Sequence, residues 1–327
     1  WFQTWRSPGT PVVRLTFNQP VTMKSAQRAL SFVAEGGKTV KIKLEEPKEG
    51  HQPIKKHGEV YHRVLIGEPV KELPLDSSVT LKLAPGLHSS EGDELSVAER
   101  DVTVFDTFPA LALKGLRCYG NDEQEIKVAP GAKATAKCNP LGPIALEFSV
   151  PVKRGQVKQH VTFEPTLGSA AAADDVWGDL SEEYSRLGRA HSKGNTYDVF
   201  LPQGLKAEQT YTLSLSEPKR GFWARIAAWF RSLFGGTVAA TAMEDEFGRT
   251  MPAGFTLTFD TDNRRPNFEI IHNTAVLESQ ADSEVPLYVT NLEKTAFNYR
   301  SLTSAGVKAD STHEVNLPDV RNLQYAI

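Results

Sequence analysis

At 327 residues the chain is long enough for two to three domains, and 40% hydrophobic content is enough to bury real cores. A formal charge of −3 supplies no basic surface for nucleic acid, and no acidic tail is present. No run approaches the roughly 18 apolar residues of a membrane span. The opening Trp1-Phe-Gln-Thr-Trp5 has neither the basic start nor the apolar core of a signal peptide, and there is no initiator Met. The chain reads as a segment of a longer precursor, which leaves its location open on this ground.

Residues 1–108 hold short alternating apolar runs at 13–17, 39–44, 60–66, 79–83 and 102–105, with Pro, Gly and Asp clusters between them. Regular short strands separated by turn signals predict a β-sandwich. The polar stretch 48–62 contains His51, His57 and His62. Their spacing suits no compact ligand motif, and neither a Cys nor a paired acid joins them, so the stretch reads as a solvated loop rather than a metal site.

A connector begins at Phe108-Pro109 and leads into a second predicted unit, 109–262. Its two cysteines, Cys118 and Cys138, are the only ones in the chain. The residues between them have a turn-rich centre at Ala129-Pro-Gly131 and read as a hairpin-like excursion. Its ends fit a disulfide, which would mark an oxidising compartment. Two buried free thiols, or a reactive or metal-binding pair, are the alternatives; no Cys-x-x-Cys partner and no nearby His favours the latter.

The strand Pro143-Ile-Ala-Leu-Glu-Phe-Ser-Val-Pro-Val152 then repeats a pattern met earlier, Val13-Arg-Leu15-Thr-Phe17-Asn-Gln-Pro20-Val21. Phe17 and Phe148 lie 131 apart, as do Phe32 and Phe163. Val79-Thr-Leu81-Lys-Leu83 matches Tyr211-Thr-Leu213-Ser-Leu215 at an offset of 132, and Phe105-Asp-Thr107 matches Phe259-Asp-Thr261 at 154. Three matches in order, at a near-constant offset, predict a duplicated domain. The second copy carries about 22 extra residues after Leu215, the difference between the last two offsets.

Between the matched strands the second unit has an acidic run containing Asp174, Asp175, Asp179, Glu182 and Glu183. It lacks the alternation of a calcium loop, and nothing in it separates two carboxylate pKa values as paired-acid catalysis needs; it reads as a solvated loop. The extra residues include a helical insertion at about 217–238. There Phe222, Ile226, Trp229, Phe230 and Leu233 recur at helical spacing beside Trp223, while Arg225 and Arg231 fall away from that stripe. Packing on its own sheet is the first reading of this helix. A partner or intramolecular interface through Phe222, Trp223, Ile226, Trp229, Phe230 and Leu233 is the second, and membrane contact the third. After a polar linker at Asp262-Asn-Arg-Arg-Pro266, residues 266–327 start a third β unit that is too short for a complete sandwich of this kind.

The pattern Pro143-Ile-x-Leu-x-Phe-Ser-x-Pro-Val152, with Leu201-Pro-x-Gly-Leu205 and Thr210-Tyr-Thr-Leu213, resembles the amino-terminal domains of bacterial alpha-2-macroglobulin-like proteins. The stretch Ala275-Val-Leu-Glu278 … Val285-Pro-Leu-Tyr-Val-Thr-Asn291 is similar to the opening strands of a macroglobulin domain. The resemblance implies tandem immunoglobulin-like or macroglobulin-like β-sandwiches, the last partial, in a periplasmic protein that is often a lipoprotein at the inner membrane. Such proteins trap peptidases after cleavage of a bait segment, and some resemble partners of cell-wall synthases. The partners implied are other domains of the same longer chain and, through the full-length protein, target peptidases. The family's Cys-x-Glu-Gln thioester is not carried over: Tyr-Gly-Asn follows Cys118, and Asn-Pro-Leu follows Cys138.

Three classes of function compete. A scaffold segment of a peptidase inhibitor predicts tandem sandwiches and an oxidised Cys pair. A binding or stalk module of an exported adhesin or cell-wall-associated protein predicts an exposed aromatic platform, with Trp177, Trp223 and Trp229 as candidates. An enzyme would need a site, and the sequence contains no Gly-x-Ser-x-Gly elbow, P-loop, dinucleotide glycine pattern or His-Glu-x-x-His motif. No catalytic residue, cofactor or metal is therefore expected.

Overall fold

A computed structural model describes residues 2–50, 52–97, 99–167, 186–202, 204–215, 243–251, 255–271, 286–300, 302–303, 306–307 and 310–327. It is mostly β, in several sheets. The helical insertion with Phe222 to Leu233, the acidic run at 174–183 and all three candidate tryptophans lie outside the described residues.

The first unit has eight strands: β1 (Phe2–Ser7), β2 (Thr10–Thr22), β3 (Leu30–Ala34), β4 (Thr39–Glu45), β5 (Ile54–Lys56), β6 (Glu59–Pro69), β7 (Ser78–Leu83) and β8 (Arg100–Asp106). They hydrogen-bond in the order β1-β2-β6-β4-β3-β7-β8, with β5 beside β6. The sheet folds over because β4 serves both halves. Ser31 to Val33 pair with Thr39 to Lys41, while Ile42 to Glu45 pair with Gly67 and its neighbours on β6. Val40, Ile42 and Leu44 are buried, and the residues alternating with them are exposed, the period-two pattern of a strand with one face on a core. Residues 48–62 are not one loop: β5 and the start of β6 form a hairpin across them.

The second unit is built from β9 (Leu113–Tyr119), β10 (Glu125–Val128), β11 (Lys133–Cys138), β12 (Ala145–Phe148), β13 (Val161–Glu164), β14 (Tyr197–Phe200), β15 (Thr210–Leu215) and β16 (Phe255–Thr261). One sheet runs β10-β9-β12-β14 and the other β11-β16-β15-β13. The path β9-β12-β14 repeats β1-β2-β6, and β13-β15-β16 repeats β3-β7-β8. The pairings correspond as well. Leu15 opposite Leu65 corresponds to Leu146 opposite Val199, and β7 on β8 has the register of β15 on β16 from Asp106 back to Thr103.

Each copy places one seven-residue helix before its β3-type strand: α1 (Met23–Ala29) and α2 (Arg154–His160). Each helix ends the same way. The Leu30 N–H bonds the Ala26 carbonyl in the first copy, and the Val161 N–H bonds the Val157 carbonyl in the second. Ala26 and Val157 are both fully buried, so each helix plugs one end of its sandwich. Their starts differ: the Thr22 hydroxyl accepts from the Ser25 N–H at 3.3 Å, whereas Lys153 offers α2 no side-chain cap.

The cysteine segment departs from the hairpin expected. β10 pairs with β9 in one sheet, but β11 pairs in parallel with β16 in the other. The chain arches between sheets at Ala129-Pro130-Gly131, where Gly131 takes a φ of 79° that costs glycine nothing.

Beyond the second unit lie β17 (Asn267–Ile270), β18 (Leu287–Thr290), β19 (Lys294–Tyr299), β20 (Leu302–Thr303), β21 (Gly306–Val307), β22 (Ser311–Asn316) and β23 (Tyr325–Ala326). They form a three-stranded sheet, β17-β18-β23, and two two-stranded ribbons, β19-β22 and β20-β21. Leu287 and Val289 of β18 are buried, while Phe268 and Ile270 of β17 are exposed. Among the described residues no helix is long and apolar enough to cross a membrane.

Candidate functional site

The candidate disulfide forms. Cys118 and Cys138 are joined, with their Cα atoms 5.8 Å apart, and no free cysteine remains. The bond ties β9 of one sheet to β11 of the other, and both sulfurs lie in the core. Two of the three histidines are described. His57 sits exposed in the β5–β6 turn, and His62 is buried on β6 with Nδ1 4.0 Å from Glu46; His51 lies outside the described residues. Among the described residues no group of three or more His, Cys, Asp or Glu could hold a metal ion.

The structure instead gathers side chains at two joints between β units. The first surrounds Phe108, which is 0% exposed. Its ring stacks on His191 at 4.4 Å, meets Trp5 edge-on at 4.8 Å and tilts against Phe247 at 5.1 Å. Aromatic pairs at such separations add about 0.5–1.5 kcal/mol beyond area burial. Polar bonds pin both sides. Trp5 Nε1 donates to the Arg189 carbonyl at 2.9 Å, and the Asp106 N–H donates to the His191 carbonyl at 2.9 Å. Arg249 donates from Nη1 to the Pro109 carbonyl and from Nε to Asp245, each at 2.8 Å. Asp245 Oδ1 in turn accepts the Phe247 and Arg249 N–H groups. The connector after Phe108 is fixed too: Ser149 donates to the Ala110 carbonyl and accepts from the Ala112 N–H. One continuous hydrophobic cluster therefore runs from Trp5 to Phe259 across both units.

His191 Nδ1 lies 2.8 Å from the Tyr197 hydroxyl. Burial holds the His191 pKa below its ordinary 6.5, against the pull of the Asp106 and Asp76 carboxylates. The ring is thus a neutral packing element at neutral pH.

The second joint is polar. Asn291 has a φ of 51° and Asn322 a φ of 59°, left-handed values that asparagine tolerates better than most residues. The Asn322 N–H donates to Asn291 Oδ1 at 2.6 Å, and Asn291 Nδ2 donates to the Arg264 carbonyl at 2.5 Å. Asn322 also accepts from the Arg264 N–H at 2.7 Å and donates to Asn263 Oδ1 at 2.9 Å. The β9–β10 turn joins in: Asn121 donates to Asp262 Oδ2 at 3.1 Å and to the Asn263 carbonyl at 2.8 Å. A cavity of about 570 Å³, lined in part by Arg264, Glu293, Asp319 and Arg321, lies beside this brace.

A third cluster lies on the β9-β12-β14 sheet. Arg117 meets Asp198, Glu147 at 3.2 Å and Glu125 at 3.6 Å. Burial opposes the Arg117 charge, but Asp198 and the other carboxylates outweigh it and raise its pKa. Lys127 reaches Glu147 from the other side at 3.8 Å. Cations and carboxylates balance here to within one charge, which describes an ion-pair network more than a ligand site.

His191, Phe247 and Arg249 were not legible as interface residues, since each stands alone in a loop with no periodic neighbours. Asp245-Glu-Phe-Gly-Arg249 did carry a local signal: an acid and an arginine four apart around a glycine form a tight turn. Asn291 is legible as the end of the Val-Thr-Asn step, and its role there is to turn the chain and hold the linker. No family model matches the chain, and no curated protein matches it.

Proposed function

We propose that this chain is a scaffold and interaction segment of a bacterial alpha-2-macroglobulin-like peptidase inhibitor, carrying neither bait nor thioester chemistry itself. The resemblance of the 143–152, 201–205, 210–213 and 285–291 motifs is its starting point. The observation that carries it is mechanical. Two duplicated β units share one hydrophobic cluster through the Phe108 joint, so they act as a single rigid strut. A trap that moves after bait cleavage needs such a stiff frame. The Cys118–Cys138 bond supports an oxidising compartment such as the periplasm. A lipid anchor elsewhere in the full-length protein, and contact with a cell-wall synthase, belong to the same reading. The test is to add a broad-specificity peptidase to the full-length gene product. Retained peptidase that still cleaves small substrates but not proteins, with this segment uncut, is the expected result. Free peptidase and no shielding would overturn the reading.

A further inference from the structure

Both copies end in the same backbone arrangement and continue with opposite chemistry. Phe108 follows Phe-Asp-Thr107, and Asp262 follows Phe-Asp-Thr261, at the offset of 154 found above. The two residues are held alike. The Phe108 N–H donates to the Pro8 carbonyl at 3.1 Å, and the Phe108 carbonyl accepts the Asp76 N–H at 3.3 Å. The Asp262 N–H donates to the Cys138 carbonyl at 2.9 Å, and the Asp262 carbonyl accepts the Glu208 N–H at 3.3 Å. Position for position, Phe108-Pro109 leads into the second unit and Asp262-Asn263 into the third.

The first pair builds a stiff joint. Phe108 gathers the rings of Trp5, His191 and Phe247. Pro109 fixes its own φ and restricts the residue before it. The second pair does neither: Asp262 puts a carboxylate where the first copy has a ring, and Asn263 carries no proline constraint. Among the described residues the hydrophobic cluster ends at Phe259, and Leu287 and Val289, buried in the third unit, stand outside it. The linker also has open space on one flank, a cavity of about 570 Å³ lined by Asn263, Arg264 and Pro266 and by the Leu317 to Arg321 segment.

Polar bonds carry the third unit instead. Asn291 and Asn322 clamp Arg264 to that unit through its carbonyl and its N–H. Across the boundary, Asn121 donates to the Asn263 carbonyl at 2.8 Å. Arg265 Nη1 meets Glu123 Oε1 at 3.2 Å, and Asn322 Nδ2 donates to Glu208 Oε2 at 3.2 Å. The last two bonds are exposed, and exposed bonds of this kind are individually weak.

We propose that the β17-β18-β23 sheet swings as a body about Asn263, and that Glu123 and Glu208 form the latch that holds it docked. A small polar contact between units leaves relative motion as the default, whereas a large apolar one suppresses it. A hinge needs only a few residues to absorb the change. The pivot holds or fails independently of the peptidase-inhibitor reading.

The test is to measure residual dipolar couplings on the isotopically labelled full chain in an uncharged aligning medium, at about 0.02 M and about 0.5 M salt. At low salt β2, β12 and β18 should share one alignment tensor. At high salt the couplings of β18 should shrink toward a tensor of their own, while β2 and β12 keep a common one. Glu123→Gly with Glu208→Gly should free β18 at low salt as well. Both positions have a left-handed φ, 67° and 55°, so glycine removes each carboxylate without backbone strain. The undocked fraction should rise on the order of tenfold, a few-fold for each bond lost. The salt series uses the unaltered chain, so it decides the matter even if the variant misfolds. A β18 that keeps the common tensor at high salt would overturn the pivot, and one already free at low salt would overturn the latch. Separation of β2 from β12 under the same conditions would overturn the contrast between the two joints.

Discussion

The two β units use one framework and close it differently. Both pair a β3-type strand with a β7-type and a β8-type strand, and both lock the turn before the middle strand with the last threonine of Phe-Asp-Thr. Thr107 Oγ1 donates to the Pro74 carbonyl at 2.6 Å and accepts the Ser77 N–H at 2.9 Å. Thr261 Oγ1 donates to the Lys206 carbonyl at 2.6 Å and accepts the Gln209 N–H at 2.9 Å. Even the left-handed residue of the turn recurs, at Asp76 and Glu208. What differs is the open side. Among the described residues the first unit leaves β8 as a bulged edge, whereas the second covers the same edge with β11 and fastens it by a disulfide. Duplication thus preserved the turns that define strand register, while the sheet edge was free to diverge.

The largest expected effect follows from the fastening. Cys118→Ala with Cys138→Ala reopens a loop of 20 residues in the second unit only. A loss of about 3 kcal/mol is expected from chain entropy. Hydrogen exchange should show it first at β11 and β16, with β7 and β8 keeping their protection. An equal loss in both units would mean that the crosslink serves the shared core rather than the second edge.

The shared turn gives a smaller and symmetrical effect. Thr107→Val and Thr261→Val each strip a part-buried carbonyl and an N–H of their partner, the N–H buried at Ser77 and part-buried at Gln209, while keeping side-chain volume. Each should cost about 1–3 kcal/mol in denaturant unfolding, and the two costs should add in the double variant to within about 0.5 kcal/mol, as at independent sites. If Thr261→Val proves far milder, β11 rather than the turn holds the second strand in register.

Much of this comparison was legible in the sequence because it rests on local chemistry. Phe17 and Phe148, or Leu81 and Leu213, mark strands by alternation, and an offset between matched motifs needs no tertiary information. Cys118 and Cys138 were legible as a pair. Their segment was misread as a hairpin because a Pro-Gly turn looks the same whether its flanks pair with each other or join different sheets. The double service of β4 was hidden for a related reason: nothing in Thr39 to Glu45 marks the residue at which its hydrogen bonds change partner. The Phe108 joint was hidden most completely. It brings together residues more than 80 positions apart in sequence, as with Phe108 and His191, and a lone histidine in a loop has no periodicity to betray burial.

That histidine carries the smallest prediction, and the one that separates the joint from the sandwiches beside it. Burial lowers the His191 pKa in the folded chain below the 6.5 of an unfolded one. The folded state therefore binds its proton less readily than the unfolded state does. The stability that comes from the neutral, stacked ring is complete above about pH 6.5 and is lost as the pH falls through that value toward the folded pKa. Over that window the slope should not exceed about 1.4 kcal/mol per pH unit, the limit for one proton. His191→Phe keeps a ring against Phe108 and gives up the contact with the Tyr197 hydroxyl. It should lower stability slightly at pH 7 and flatten the slope below about pH 6.5. Because Asp106 and His191 are held together through the main chain, acid should loosen protection of the Asp106 amide before that of its counterpart in the second copy, Asp260. An undiminished slope in His191→Phe would move the proton to another group and leave the joint indifferent to acid.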